Sequence, residues 1–209
     1  GRVALSAEPL EPTFTRPVAP ALQAVVTRAI QRDPKDRFQS MKEMLAASGL
    51  APGKIAAWSE GGRERQDSVA RGLQALPEGS TLVAIHDCAR ALVTPELIGR
   101  VVGDALQHGA AIAAVPLADT LKRGALGAIE TTVPRQGLWC AQTPQVFRRE
   151  WIEAAHAAVA HHATDDAALV EALGHRVHLT PGDPLDFKIT TPQDLELAAA
   201  WLTRTSART

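Results

Sequence analysis

Three short stretches set charged side chains behind an apolar run or between apolar neighbours, where a folded chain could use them on an anionic ligand. The first is His86-Asp87-Cys88-Ala89-Arg90, with a carboxylate and a guanidinium three residues apart behind Leu82-Val83-Ala84-Ile85. The second is Asp119-Thr120-Leu121-Lys122-Arg123, which follows the apolar residues 110–117. The third, Phe187-Lys188-Ile189-Thr190-Thr191-Pro192, sets a lone lysine between apolar neighbours just before a helix start. A cation close to free backbone N–H groups is well placed for a phosphate. Each stretch also has a plainer reading. Spacing alone favours Asp87 as the cap of a following helix with Arg90 solvated. It also allows 119–123 as a turn with a charged exit and Lys188 as a side chain reaching out to water.

The elements that would position these residues follow from periodicity. Residues 82–86 and 110–117 are continuous apolar runs of strand length, each preceded by a helical pattern (66–76 and 95–107) and a glycine. Such strands are buried on both faces. Residues 176–179 supply another strand after a helix over 166–173, and a last helix over 191–203 starts at Thr191 with Pro192 in its first position. The class is α/β, and its crossovers gather strand C-termini on one edge, where open sheets bind ligands.

Composition narrows the function. The chain has 209 residues, 45% hydrophobic and 22% charged, with net charge -1, so it lacks the basic excess of a nucleic-acid binder. Cys88 and Cys140 have no C-x-x-C spacing, which argues against a cysteine zinc site or a disulfide framework and suits a cytoplasmic protein. No apolar run approaches the roughly 20 residues of a membrane span. Gly1-Arg2-Val3 offers neither a signal-peptide core nor an initiator Met, so the chain reads as a fragment or a processed product.

The first fifty residues differ in texture from the rest. Residues 9–20 hold four prolines and read as a loop, followed by two short helical patterns separated by Asp33-Pro34. With Gln31-Arg32-Asp33-Pro34-Lys35-Asp36-Arg37-Phe38 between them, residues 1–50 resemble the last helices of bacterial serine/threonine protein kinases, as a helical appendage without kinase machinery. The remainder, 51–209, is expected to be a separate domain.

Six motifs carry a second resemblance. They are Gly61-Gly62-Arg63-Glu64-Arg65-Gln66-Asp67-Ser68-Val69, His86-Asp87-Cys88-Ala89-Arg90, Asp119-Thr120-Leu121-Lys122-Arg123, Leu138-Trp139-Cys140-Ala141-Gln142-Thr143-Pro144-Gln145, Thr164-Asp165-Asp166-Ala167 and Lys188-Ile189-Thr190-Thr191-Pro192-Gln193-Asp194-Leu195. In this order they resemble the 2-C-methyl-D-erythritol 4-phosphate cytidylyltransferase family of the non-mevalonate isoprenoid pathway. The resemblance implies a nucleotide-diphospho-sugar transferase fold, a Rossmann-like mixed sheet with a β-arm. It implies attack of the methylerythritol phosphate on the α-phosphorus of CTP, with Mg²⁺ held mainly by the CTP phosphates and no metal ligands on the chain. Lys188, Asp87 and Arg135 would take the catalytic positions. Arg90, Thr120 and Thr143 would bind the substrate phosphate, while Gly62 and Ser68 would contact the cytidine.

The family places the counterpart of Arg135 on an arm that reaches a neighbouring subunit, so a homodimer is expected. Cys88, Ala91 and Asp186 stand where the family commonly has Ala, Pro and Asn. The family's opening strand and its Ala-Ala-Gly-x-Gly-x-Arg loop for the CTP phosphates have no counterpart in these 209 residues. The fold is therefore expected to lack its first strands and the polypeptide alone to be a poor catalyst. A reading of a different class is a non-catalytic, dimeric sugar-phosphate-binding module. His156, His161, His162, Asp165 and Asp166 hold metal-type side chains, but their spacing fits no standard site.

Overall fold

The computed structural model describes residue 57, residues 59–158 and residues 163–206. The kinase-like segment expected over 1–50 lies outside the described residues. The chain divides into two compact units, Ser59–Ala200 and a second made of Gly1–Trp58 with Trp201–Thr209. The first unit contains all six described strands, in the order α1 (Arg65–Gln74), β1 (Leu82–Ile85), α2 (Pro95–His108), β2 (Ala110–Pro116), β3 (Leu121–Ala125), β4 (Ala128–Val133), β5 (Trp139–Arg148), α3 (Arg149–Ala158), α4 (Asp166–Ala172) and β6 (His178–Pro181). A final helix, α5 (Pro192–Ser206), begins in that unit.

Four strands form one sheet in the order β1-β5-β2-β6. Strand β5 runs antiparallel to both β1 and β2, and β6 runs parallel to β2, so β1, β2 and β6 share a direction. Their C-terminal ends lie on one edge, together with the N-terminal half of β5. Alternation along the strands sends side chains to two separate cores. Ala110, Ile112 and Phe147 join Leu73 of α1, Ile152 of α3 and Leu169 of α4 on one face. Ala111, Ala113 and Val146 meet Leu97, Val101 and Ala105 of α2 on the other. The result is a mixed sheet between two helical layers.

Helix α2 has clear punctuation at both ends. The Thr94 hydroxyl accepts the Leu97 N–H at 3.2 Å, Pro95 opens the helix, and Gly109 closes it in the left-handed region with φ 85°. The cap at Thr94 frees Asp87 from the capping role that spacing favoured. Gly109 has a second duty, because a Cβ there would overlap the Trp151 ring. That ring stacks on His175 at 4.0 Å and lies under the Arg148 guanidinium.

Strands β3 and β4 form a separate two-stranded sheet, the arm. Leu126 and Gly127 at its tip both have positive φ, the conformation of a tight two-residue hairpin loop. Nearly every arm residue is exposed, including Leu126 and Ile129.

Gly109→Ala combines a left-handed backbone with a clash against Trp151, so it is expected to cost roughly 2–4 kcal/mol. Denaturant unfolding followed by circular dichroism measures this directly. A variant as stable as the parent would show that the ring moves aside freely.

Candidate active site

The site forms where the shared edge of the sheet brings β1, β5 and the segment after β6 together. Asp87 sits two residues past β1 in a turn closed by the Arg90 N–H donating to the Asp87 carbonyl at 2.9 Å. The Asp87 N–H donates to the Thr143 hydroxyl on β5 at 3.0 Å. That hydroxyl lies 2.9 Å from His86 Nδ1, and His86 Nε2 lies 3.2 Å from the Arg90 carbonyl. One proton arrangement satisfies all three contacts: Thr143 accepts from Asp87 and donates to Nδ1, and Nε2–H donates to Arg90. Thr143 therefore fixes the turn that carries Asp87.

Three cations surround the Asp87 carboxylate. Lys188 Nζ lies 3.1 Å from Oδ2, Arg90 Nε 3.7 Å from the same oxygen, and Arg65 Nε 3.5 Å from Oδ1. Partial burial works to raise the Asp87 pKa, but the hydrogen bond and charge of Lys188, with the Arg65 guanidinium, outweigh it and hold the carboxyl below its ordinary value. Lys188 is delivered by a short backbone bridge, the Ile189 N–H donating to the Ala89 carbonyl at 2.8 Å. The start of α5 is fixed by a reciprocal cap: Asp194 accepts the Thr191 N–H at 2.8 Å and the Thr191 hydroxyl accepts the Asp194 N–H at 3.2 Å. Arg90 is anchored through Nη1, which donates to the Asp186 carbonyl at 2.6 Å.

These side chains line a cleft of about 250 Å³ together with Gln142, Gln145, Thr164 and Asp165. Arg65, Arg90 and Lys188 against Asp87 and Asp165 leave one positive charge over among the lining residues, which suits an anionic ligand. Two amides hold its walls. Gln142 is buried, donates to the Asp183 carbonyl at 2.7 Å and accepts the Asp183 N–H at 3.1 Å, binding β5 to the loop that leads to Lys188. A Cβ at Gly182 would overlap the Gln142 side-chain oxygen. Gln145 donates to Asp165 at 2.9 Å and accepts the Ala167 N–H at 3.2 Å, which clamps the start of α4. The peptide between Thr143 and Pro144, between these two amides, is cis.

The cleft thus unites Asp87, Arg90, Thr143 and Lys188 of the residues singled out in the sequence. Gly62 and Ser68 lie apart from its lining, where the Gly62 N–H donates to the Ser68 hydroxyl at 2.8 Å and a Cβ on Gly62 would overlap Asp67. Thr120 is exposed at the base of the arm. Arg135 lines a separate cavity of about 690 Å³ with Trp139, Pro116, Leu117 and Pro181. Arg65, Gln142 and Gln145 lie within the six motifs, and no local signal in the sequence gives them a role. His161 and His162 lie outside the described residues, while His156 bonds to Asp166 at 3.0 Å.

Asp186 lies behind Arg90 with only 1% of its surface exposed, and neither carboxylate oxygen has a hydrogen-bond partner among the described residues. Burial raises its pKa from 3.8 to about 6 against the opposing pull of Arg90, with Asp183 and Asp87 adding to the rise. The fold therefore favours the protonated acid, and the penalty for ionising it grows as pH rises from 3.8 through about 6. Asp186→Asn is expected to raise the melting temperature by several degrees at pH 7.5 and by little at pH 4. Equal gains at both pH values would assign the effect to packing rather than charge.

Comparison with known proteins points to one family. Residues 12–204 match the protein family IspD, 2-C-methyl-D-erythritol 4-phosphate cytidylyltransferase. The enzyme of that name from Syntrophus aciditrophicus is 46% identical over 159 residues, 74% of this chain and 68% of that protein. Its namesake from Nocardia farcinica is 45% identical over 186 residues, 88% of this chain and 77% of that protein. Among solved structures, the 2-C-methyl-D-erythritol 4-phosphate cytidylyltransferase of Thermus thermophilus superposes with a TM-score of 0.64 at 44% identity, over 68% of this chain and 70% of that one. The 4-diphosphocytidyl-2C-methyl-D-erythritol synthase of Anaerococcus prevotii gives a TM-score of 0.69 at 25% identity, over 88% of this chain and 87% of that one. With its mixed sheet and six motifs in order, the chain belongs to the IspD family of 2-C-methyl-D-erythritol 4-phosphate cytidylyltransferases.

Proposed function

We propose that the protein transfers a cytidylyl group from CTP to 2-C-methyl-D-erythritol 4-phosphate and releases pyrophosphate. The observation that carries this reading is the cleft in which Lys188, Arg90 and Arg65 converge on Asp87. In such a transfer an oxygen of the substrate phosphate forms a bond to the α-phosphorus of CTP. The bridging P–O bond to the β-phosphate breaks, and its electron pair leaves with pyrophosphate. Two anions must approach each other, so cations held in place lower the barrier, and the substrate phosphate being the nucleophile, the protein need supply none.

Lys188 brings three donors on a compact charge and Arg90 a guanidinium anchored to the Asp186 carbonyl. Before substrate enters, their positive charge rests on Asp87. An entering phosphate takes over those contacts and leaves the Asp87 oxygens to accept sugar hydroxyls. Mg²⁺ supplies further charge neutralisation when carried on the triphosphate. The chain's own carboxylates here are poor ligands for it, since Asp87 faces three cations and Asp165 is engaged by Gln145 and the Ala168 N–H. The non-catalytic alternative gains nothing from the relatives, whose names are those of transferases.

A homodimer completes the reading. The arm exposes Leu121, Leu126 and Ile129 on a two-stranded sheet too small to be stable by itself, and a second copy would cover it. Thr120 and Arg135, which the cleft of one chain does not contain, sit at the arm's base and would act across that contact. The two free, exposed thiols, Cys88 and Cys140, suit the reducing cytoplasm.

Calorimetry with methylerythritol phosphate and detection of pyrophosphate with CTP test the proposal. Lys188→Ala is expected to weaken phosphate-ester binding roughly 10- to 100-fold, the worth of one charge-assisted hydrogen bond, with unfolding unchanged. If the parent neither binds the ester nor forms product, the assignment is wrong. Light scattering at micromolar concentration is expected to show a dimer that Ile129→Glu weakens. A monomeric parent would rule out sharing of Arg135.

A further inference from the structure

Behind the cleft lie two buried side chains, Asp166 and His156, that the chemistry above leaves without a role and that reach the cleft through Arg65. Arg65, the first residue of α1, reaches in two directions. Its Nε lies 3.5 Å from Asp87 Oδ1 in the cleft, and its Nη1 lies 2.7 Å from Asp166 Oδ2 behind it. Asp166 is fully buried in the first turn of α4, and its other oxygen meets His156 Nε2 of α3 at 3.0 Å. The His156 side chain is itself buried.

A carboxylate sealed from water is costly unless its partners are held in good geometry, and such pairs add little net stability. An exposed arginine on a helix start, by contrast, samples many rotamers and must lose that freedom to act at one place. The two facts fit together. The guanidinium is planar with a fixed fork of donors, so a contact to Asp166 on one side sets the direction of the other side. Burial opposes the charge on Arg65, but Asp166 and Asp87 more than compensate and hold its pKa above the ordinary arginine value.

We propose that Asp166, steadied by His156, is a positioning residue that aims Arg65 into the cleft as a third cation for the anionic substrate. This rests on the cleft being the substrate site. Lys188 and Arg90 approach Asp87 from the α5 side and from the β1 turn, whereas Arg65 approaches from α1. Without Arg65 the cations lie on one flank of the carboxylate. With it, an anion in the cleft meets positive charge from two sides.

A double-mutant cycle on the full chain tests the idea, with methylerythritol phosphate binding read by calorimetry and folding by thermal unfolding. Asp166→Asn keeps the size and the acceptor for His156 but turns an amide toward Arg65. Asp166→Asn and Arg65→Gln are each expected to weaken binding about tenfold, and the double variant by the same factor, because both remove one contact. A loss near a hundredfold in the double variant, or parental affinity in Asp166→Asn, overturns the proposal. Arg65→Lys supplies an arm that does not depend on Asp166→Asn folding. A lysine cannot span both carboxylates, so it is expected to bind nearly as weakly as Arg65→Gln, and parental affinity would show that charge without aim suffices. A parent that binds no ester removes the site reading and this proposal together. A parent that binds, with no coupling between the two positions, removes this proposal alone.

Discussion

Everything at the sheet edge depends on the Asp87 carboxylate. Arg65, Arg90 and Lys188 come from three separate pieces of chain, and without a shared anion they would repel one another at this spacing. Single exposed ion pairs contribute little to stability. A cluster around one carboxylate differs, because each partner orders the acceptor for the next. Asp87 thus acts as a shared counter-charge for three cations. Its backbone is as constrained as its side chain, through Thr143 and His86.

Strand β5 is the element that makes this arrangement possible. It lies between β1 and β2 and opposes both, so its N-terminal half runs along the edge where the other strands end. That places Gln142, Thr143 and Gln145 within reach of three different neighbours. Each uses a buried polar group fully or nearly so, which is the condition for polar side chains to specify a structure rather than weaken it. The apolar second half, Val146 and Phe147, enters the two cores and fixes the strand's register.

Much of this was legible in the sequence, for physical reasons that differ by element. Helix α2 shows its opening proline and its closing glycine, though its cap proved to be Thr94 and not Asp87, and β2 shows an unbroken apolar run, so both lie within a residue or so of their expected bounds. Strand β6 lies two residues later than the Val-containing run suggested, because register with β2 rather than local propensity sets it. Strand β5 was visible only as a motif. Trp139-Cys140-Ala141-Gln142-Thr143-Pro144 has neither alternation nor a continuous apolar run, and its proline argues against a central strand. In the site, Asp87 could be picked out because it follows an apolar run, and Lys188 because it stands alone between apolar neighbours just before a helix start. Arg65 could not, since its meaning depends on how α1, α3 and α4 stack, which no local pattern encodes. Asp166 looked like a metal-type side chain, and only its burial beside His156 and Arg65 gives it another meaning.

The central, antiparallel placement of β5 also bears on how the chain is made. Ile85 of β1 pairs with Gln145 of β5, so the first strand cannot complete its ladder until that partner has left the ribosome. With about 60 residues between them and elongation at roughly 5–20 residues per second, the nascent Leu82-Val83-Ala84-Ile85 segment waits on the order of several seconds. Through that interval α1 has no sheet to rest on, and its apolar stripe is open to other chains. Translation speed across the intervening residues, which include an arm that contributes nothing to either core, therefore sets how long the growing polypeptide stays vulnerable to aggregation.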